Sequence, residues 1–105
     1  MGTLIVTGAS RGIGAATAIL AAEAGWDVVV NYRGNADAAA SVVSAIKDGG
    51  GRAIAVRGDV SSEAEVVSLF DAAESRLGPV TALVNNAGIL HHAAPVADID
   101  VDRWQ

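Results

Sequence analysis

The sequence predicts an α/β fold, in which a doubly wound parallel sheet carries helices on its two faces. Short runs rich in β-branched residues alternate with longer stretches of helical periodicity, and the connections between them are short. The run Val28-Val29-Val30 is apolar without alternation, which is typical of a parallel strand covered on both faces. A glycine-rich turn directly follows the first of these runs.

Four short apolar runs are predicted as the strands of the sheet, with right-handed crossovers between them. They cover residues 3–7, 28–30, 53–56 and 80–84. In a doubly wound fold of this order, the strands would lie 3-2-1-4 across the sheet. The acidic residues Asp98, Asp100 and Asp102 then favour the first turn of a further helix.

Three helices are predicted between the strands, over residues 12–24, over residues 37–48, and from a capping box at Ser62 and Glu65 to Gly78. In that box Ser62 would bond the free amides of the helix and Glu65 would reach back. The apolar spacing predicts the residues that face the sheet. They are Ile13, Thr17, Leu20, Ala21 and Ala24, then Val42, Val43 and Ile46, then Val66, Leu69, Phe70, Ala73 and Leu77.

Composition excludes several classes of protein. The formal net charge of −5 argues against a nucleic-acid surface, which needs clustered basic residues. Cysteine is absent, so disulfides and thiolate chemistry are excluded. No apolar run reaches the ~18 residues of a membrane span. Met1 to Val6 match neither a signal peptide nor a myristoylation motif, so we expect a cytoplasmic protein without membrane contact.

The glycine-rich turn covers residues 7–14, where free amides and the positive end of a helix would meet a phosphate. Gly8 would let the chain turn sharply, Gly12 would leave room for a pyrophosphate, and Gly14 would let the helix pack closely on the sheet. The spacing G-x-x-x-G-x-G differs from G-x-G-x-x-G, and the lysine of a P-loop is absent. A tight turn without a ligand is the alternative.

Three short segments in register resemble the short-chain dehydrogenase/reductase family. They are residues 7–14, the pair Asp59-Val60 and the run Asn85-Asn86-Ala87-Gly88. The amino-acid sequence of these segments is similar to that of 3-oxoacyl-carrier-protein-reductase-like and glucose-dehydrogenase-like members. The resemblance implies a Rossmann-like fold, with residues 1–105 as the N-terminal part of a single dinucleotide-binding domain, truncated before the catalytic segment.

The family pattern implies which residues bind the cofactor. The turn would contact the pyrophosphate, Asp59 would accept a hydrogen bond from the adenine amino group, and the amide of Val60 would contact the ring. Asn86, Ala87 and Gly88 would pass the ribose next to the nicotinamide. The complete predicted set is Gly8, Ser10, Arg11, Gly12, Ile13, Gly14, Asn31, Tyr32, Arg33, Asp59, Val60, Asn86, Ala87 and Gly88.

The end of the second strand bears on the choice of cofactor. NAD-selective folds place an acid about 20 residues beyond the glycines, but Tyr32 stands there and Arg33 follows it. A 2′-phosphate would meet the guanidinium groups of Arg33 and Arg11 and no carboxylate. These residues favour NADP(H), with NAD(H) also possible. The alternative for Arg33 is a side chain that simply faces solvent.

The family's catalytic groups are a Ser and a Tyr-x-x-x-Lys pair, in which the tyrosine exchanges a proton with the substrate oxygen. The chain has one tyrosine, Tyr32, and one lysine, Lys47, both in the cofactor half, so no catalytic residue is assigned. We expect the full-length parent to be an NADP(H)-dependent carbonyl reductase or alcohol dehydrogenase. It would act on a small carbonyl or alcohol substrate and form a homo-oligomer.

Two other functions stay open at this point. One is a non-catalytic dinucleotide-binding or partner-binding module. The other is a Rossmann-like domain for another nucleotide, against which the family-like run Asn85-Asn86-Ala87-Gly88 counts. His91-His92 would line the substrate entrance or face solvent. A metal site there lacks a supporting carboxylate or cysteine, so none is assigned. The downstream gene sequence would decide between enzyme and module.

The absence of a Tyr-x-x-x-Lys pair predicts that the 105-residue polypeptide alone does not reduce carbonyl compounds. A spectrophotometric assay of NADPH oxidation, with a panel of ketones and aldehydes, checks this. Turnover above a buffer control would contradict the prediction.

Overall fold

A computed structural model describes residues 2–86 of the chain, and four strands alternate with three helices in this part. In chain order they are β1 (Thr3–Val6), α1 (Gly12–Glu23), β2 (Asp27–Tyr32), α2 (Ala36–Asp48), β3 (Ala53–Arg57), α3 (Glu63–Arg76) and β4 (Val80–Val84). Each element predicted within residues 2–86 is present, and no end is shifted by more than two residues. The helix expected to begin near Asp98 lies outside the described residues.

The strands form one parallel sheet in the order β3-β2-β1-β4, which confirms the predicted order 3-2-1-4. This is a Rossmann-like α/β arrangement. Because all pairs are parallel, the carboxyl ends of the strands meet at the same edge of the sheet. Ligands of doubly wound folds bind in the crevice outside that edge. The prediction that residues 1–105 are one part of a single domain stays a prediction.

Alternate residues of the strands enter two separate hydrophobic cores, as expected for a sheet covered on both faces. Leu4, Val6, Val28 and Val30 pack with buried residues of α1 and α2 on one face. The opposite core, beneath α3, contains Ile5, Val29, Leu69, Ala73 and Leu83. The continuous valine run of β2 is therefore apolar because both of its faces are buried.

The predicted inward face of α1 is wrong in part: Ala21 packs against the core, but Ile13 and Leu20 do not. Gly14 and Ala18 are the buried residues of this helix, whereas Ile13 is 78 % exposed and Leu20 is 64 % exposed. The helix is apolar around most of its circumference, so its periodicity does not single out one face. Gly14 and Ala18 face the sheet because their small size lets the helix approach the strands closely, and Ile13 and Leu20 then point away.

The predicted capping box at the start of α3 forms only in part. Oγ of Ser62 accepts a hydrogen bond from the amide of Glu65 at 3.4 Å. The carboxylate of Glu65 does not return to the amide of Ser62, which donates instead to the carbonyl oxygen of Asp59. Oε1 of Glu65 accepts from the amide of Asp59 at 2.7 Å, so the acid stabilises the turn before the helix.

A groove of about 480 Å³ lies on the α1 side of the sheet. Its lining is mainly apolar and includes Leu20, Trp26 and Ala82. No helix within residues 2–86 is long and apolar enough to cross a membrane. Over the same residues, no three His, Asp or Glu side chains are grouped so that they could hold a metal ion.

We expect the isolated 105-residue polypeptide to self-associate through strand β4. Within residues 2–86 it pairs only with β1, and its residues are apolar apart from Thr81. An uncharged edge of this kind is a template for further strand pairing. We expect oligomers by size-exclusion chromatography and weak near-ultraviolet circular dichroism.

The exposed residue Thr81 offers a matched pair of variants. Thr81→Lys should shift the isolated polypeptide towards monomer because a charge on an edge strand opposes pairing, whereas Thr81→Val should not. A wild-type monomer with a cooperative thermal transition would contradict the prediction.

Candidate functional site

The glycine turn connects β1 to α1 at the carboxyl edge of the sheet. Gly8 has φ 59° and Gly12 has φ 65°, in the left-handed region that favours glycine. A Cβ atom built on Gly12 would meet nothing within 4 Å. The chain therefore turns where the sequence predicts, and the space beside Gly12 is open to a ligand.

The amino terminus of α1 differs from those of the other two described helices. Its N-cap residue is Arg11, which makes no side-chain hydrogen bond to the helix, and its first turn contains no acidic residue. Asn35 caps α2 by accepting from the amide of Ala38 at 2.9 Å, and Ser62 caps α3. The positive end of α1 is thus neither capped nor neutralised by a side chain, which suits an anion.

Gly14 allows α1 to lie directly against the turn. A Cβ atom at this position would overlap the carbonyl oxygen of Gly8, and it would lie 2.5 Å from Nδ2 of Asn86. The helix terminus therefore reaches the turn only because residue 14 has no side chain. This close approach is the role that the sequence predicts for Gly14.

Polar groups join the ends of β1 and β4. The amide of Thr7 donates to the carbonyl oxygen of Val84 at 3.0 Å, and the Thr7 hydroxyl accepts from the amide of Asn86 at 2.8 Å. Nδ2 of Asn86 donates to the carbonyl oxygen of Gly8 at 3.2 Å. The glycine turn and the first residues after β4 are therefore held together by hydrogen bonds.

Asn31, near the end of β2, is 2 % exposed, and its side chain bonds only backbone groups. Oδ1 accepts from the amide of Gly8 at 3.3 Å. Nδ2 donates to the carbonyl oxygens of Val56 and Gly58, both at 3.2 Å. The side chain thus connects the ends of β1, β2 and β3.

A charged cluster follows β2 and β3. Nη2 of Arg33 lies 3.4 Å from Oδ2 of Asp59, and the Arg33 side chain is 77 % exposed. Oδ1 of Asp59 accepts from the Ser61 hydroxyl at 2.7 Å and from the Ser61 amide at 2.9 Å. The hydroxyl and then the amide of Ser61, with smaller effects from Arg33 and Arg57, hold the pKa of Asp59 below its usual value against the opposing effect of burial. Asp59 is therefore a fixed carboxylate at neutral pH.

The structure places the predicted cofactor residues between 8 and 86 at the carboxyl edge of the sheet, in the last residues of β2, in the first turn of α1 and in the turns that follow the strands. Ala87, Gly88 and the pair His91-His92 lie outside the described residues. Sequence reasoning missed Thr7, whose hydroxyl joins two strand ends, and Ser61, which orients Asp59. The Asp-x-Ser spacing of an Asx turn was an available signal for Ser61, whereas the role of Thr7 depends on a contact 79 residues away.

The model of the short chain dehydrogenase family matches residues 2–105. The chain belongs to this family. Short-chain dehydrogenases bind a nicotinamide dinucleotide, and the open glycine turn, the uncapped terminus of α1 and the cluster at Asp59 fit the pyrophosphate and adenosine parts of such a cofactor.

Individual short-chain dehydrogenases resemble the chain along nearly its whole length. It is 45 % identical to an uncharacterized oxidoreductase, YgfF, of Escherichia coli (strain K12), over 98 % of this chain and 42 % of the relative. A crystal structure of hydroxysteroid dehydrogenase from Escherichia coli has a TM-score of 0.78 and 48 % identity, over 92 % of this chain and 42 % of that one.

The crystal structure of the angucycline C-6 ketoreductase LanV with bound NADP has a TM-score of 0.75 and 38 % identity. The match covers 90 % of this chain and 41 % of the LanV chain. The chain thus spans about two fifths of the length of the short-chain dehydrogenases it matches.

Gly14→Ala tests the close approach of α1 to the turn. Alanine in a helix is normally favoured over glycine by about 0.5–1 kcal/mol, but here the added methyl group overlaps the Gly8 carbonyl group. We expect a net loss of about 1–3 kcal/mol in the free energy of unfolding, together with weaker dinucleotide binding. Urea unfolding and calorimetric titration measure the two effects.

Gly34→Ala is the control because a Cβ atom at residue 34 would meet nothing within 4 Å. Gly34→Ala should leave the free energy of unfolding and the dinucleotide affinity close to those of the wild type. Gly14→Ala with unchanged or increased stability would show that the helix tolerates the methyl group, against the prediction.

Proposed function

We propose that the full-length protein is an NADP(H)-preferring oxidoreductase that interconverts a small carbonyl compound and the corresponding alcohol. In this proposal residues 1–105 form the N-terminal part of the cofactor-binding domain, and the Ser and Tyr-x-x-x-Lys groups lie further along the full-length chain. Family membership and the oxidoreductase names of the relatives support the general reaction class. A cytoplasmic location and a homo-oligomeric state belong to the same proposal.

The observation that carries the proposal is the glycine turn that opens onto the uncapped terminus of α1. Gly8 and Gly12 adopt positive φ angles, and the surface beside Gly12 is open. Backbone amides and the helix dipole would meet the pyrophosphate there, without a metal ion or a P-loop lysine. Ser10, Arg11 and Ile13 would contribute the amides.

Adenine recognition would fall to Asp59 and Val60 at the end of β3. Because Ser61 fixes the Asp59 carboxylate and keeps it ionised, the carboxylate is ready to accept a hydrogen bond from the adenine amino group. Asn86, Ala87 and Gly88 would lie along the ribose next to the nicotinamide. The two ends of the dinucleotide would thus bind on opposite sides of β1.

The preference for NADP(H) would rest on the guanidinium groups of Arg33 and Arg11. The guanidinium of Arg33 is exposed at the end of β2 and pairs with Asp59 in this structure, so a 2′-phosphate would have to compete with that carboxylate. An exposed ion pair contributes only about 0–1 kcal/mol, whereas a phosphate monoester carries close to two negative charges and binds guanidinium in a bidentate manner. The phosphate should therefore win the competition.

Arg33→Ala tests the assignment in the full-length enzyme. Loss of a charged contact to the 2′-phosphate should reduce the NADP-over-NAD preference in kcat/KM by about 1.5–3 kcal/mol, or roughly 10- to 150-fold. Catalysis with NAD(H) should change little. Steady-state kinetics with both cofactors and one carbonyl substrate give the ratio.

Arg52→Ala removes the same charge at the opposite end of the sheet, where Arg52 pairs with Asp27 at 3.0 Å. It should leave the cofactor ratio unchanged. If the ratio of kcat/KM with NADP(H) to kcat/KM with NAD(H) is the same in the wild type and Arg33→Ala, the role of Arg33 in binding the 2′-phosphate is contradicted. Absence of carbonyl reduction by the full-length wild type with either cofactor would contradict the proposed activity itself.

A further inference from the structure

The buried carboxamide of Asn31 holds the backbone on two sides of the proposed cofactor site. We infer that Asn31 is a positioning residue for dinucleotide binding, which acts through the backbone of two turns and does not touch the ligand. The inference rests on the proposed function, because it concerns the same cofactor. It also reassigns a residue that the sequence grouped with the contacting residues.

The side chain of Asn31 is saturated by backbone partners. Its oxygen accepts from the Gly8 amide, and its nitrogen donates to the carbonyl oxygens of Val56 and Gly58. With the side chain and backbone together only 2 % exposed, the carboxamide has no group directed to solvent or to a ligand. The main-chain oxygen of Asn31 also accepts from the amide of Ala9 at 2.8 Å.

These bonds fix Gly8, the first glycine of the glycine turn. Gly8 has φ 59°, so the direction of the amides that follow depends on how its peptide groups are oriented. Asn31 binds the Gly8 amide from the β2 side, and Asn86 binds the Gly8 carbonyl oxygen from the β4 side. Gly8 is therefore held at both its donor and its acceptor.

The same side chain reaches the other half of the cofactor site. Gly58, whose carbonyl oxygen accepts from Asn31, directly precedes Asp59. Asn31 thus sets the spacing between the turn that would bind pyrophosphate and the carboxylate that would bind adenine. Pyrophosphate and adenine are common to NAD and NADP, so a loss of this spacing should weaken both cofactors equally.

Asn31→Val in the full-length protein tests the inference, because valine suits a buried strand and has no polar group. We expect the Kd values for NADP⁺ and NAD⁺, measured by calorimetric titration, to rise by the same factor of about ten, equivalent to one impaired phosphate hydrogen bond. Asn31→Thr has the shape of valine and restores one hydroxyl, so its Kd values should fall between those of Asn31→Val and the wild type. Arg33→Ala, in contrast, should change the ratio of the two constants.

A purely structural role would lower stability without changing affinity, so a destabilised control is needed. Leu69→Ala removes buried volume beneath α3, on the face of the sheet away from α1 and α2. It should lower Tm and leave both Kd values unchanged. If Asn31→Val behaves in the same way, with lowered Tm and unchanged Kd values, the inference is overturned.

Amide hydrogen exchange in the ligand-free protein gives a readout that needs no cofactor. Asn31→Val should speed exchange at Gly8 and Ala9, and Leu69→Ala should not. Unchanged exchange at Gly8 would overturn the inference. A wild-type protein that binds neither dinucleotide would overturn the proposed function, whereas the exchange rates would still decide whether Asn31 holds the turn.

Discussion

The burial of β1 on both faces and both edges is the constraint on which the rest of the structure depends. All four of its residues, Thr3 to Val6, are buried, and it pairs with β2 on one side and β4 on the other. Leu4 and Val6 enter one core and Ile5 enters the other. The chain can leave this central position only at the carboxyl edge, so the glycine turn necessarily lies between the ends of β2 and β4.

The polar side chains at that edge satisfy backbone groups that the end of the sheet would otherwise leave unpaired. Thr7, Asn31 and Asn86 come from three different strand ends, and each bonds to main-chain atoms of a neighbouring segment. Such buried groups destabilise the protein by about 1–3 kcal/mol when a partner is removed. The hydrogen bonds that stabilise the edge therefore also hold the backbone of the glycine turn in place.

The sequence predicted the elements because they follow from local signals, and it predicted the strand order because a doubly wound fold with these elements places its strands in the order 3-2-1-4. Continuous apolar runs indicate strands, and the Thr7–Gly14 turn indicates where α1 begins. The close packing of Gly14 was predicted from its place in the glycine turn, but Ala18 could not be predicted from periodicity because it faces the sheet for its small size and not for its hydrophobicity. The partners of Asn31 and Thr7 could not be predicted either, since each depends on contacts between distant segments.

The pairing of β1 with β4 contains one irregularity. Thr3 lies opposite Val80, but the next residue, Leu4, lies opposite Ala82, so Thr81 is an extra residue in β4. The extra residue bulges at the edge of the sheet remote from the glycine turn, and the pairing is regular from Leu4 and Ala82 to Val6 and Val84. The extra residue takes up the offset at the start of β4, so Asn86, which follows the end of this strand, lies beside Gly8.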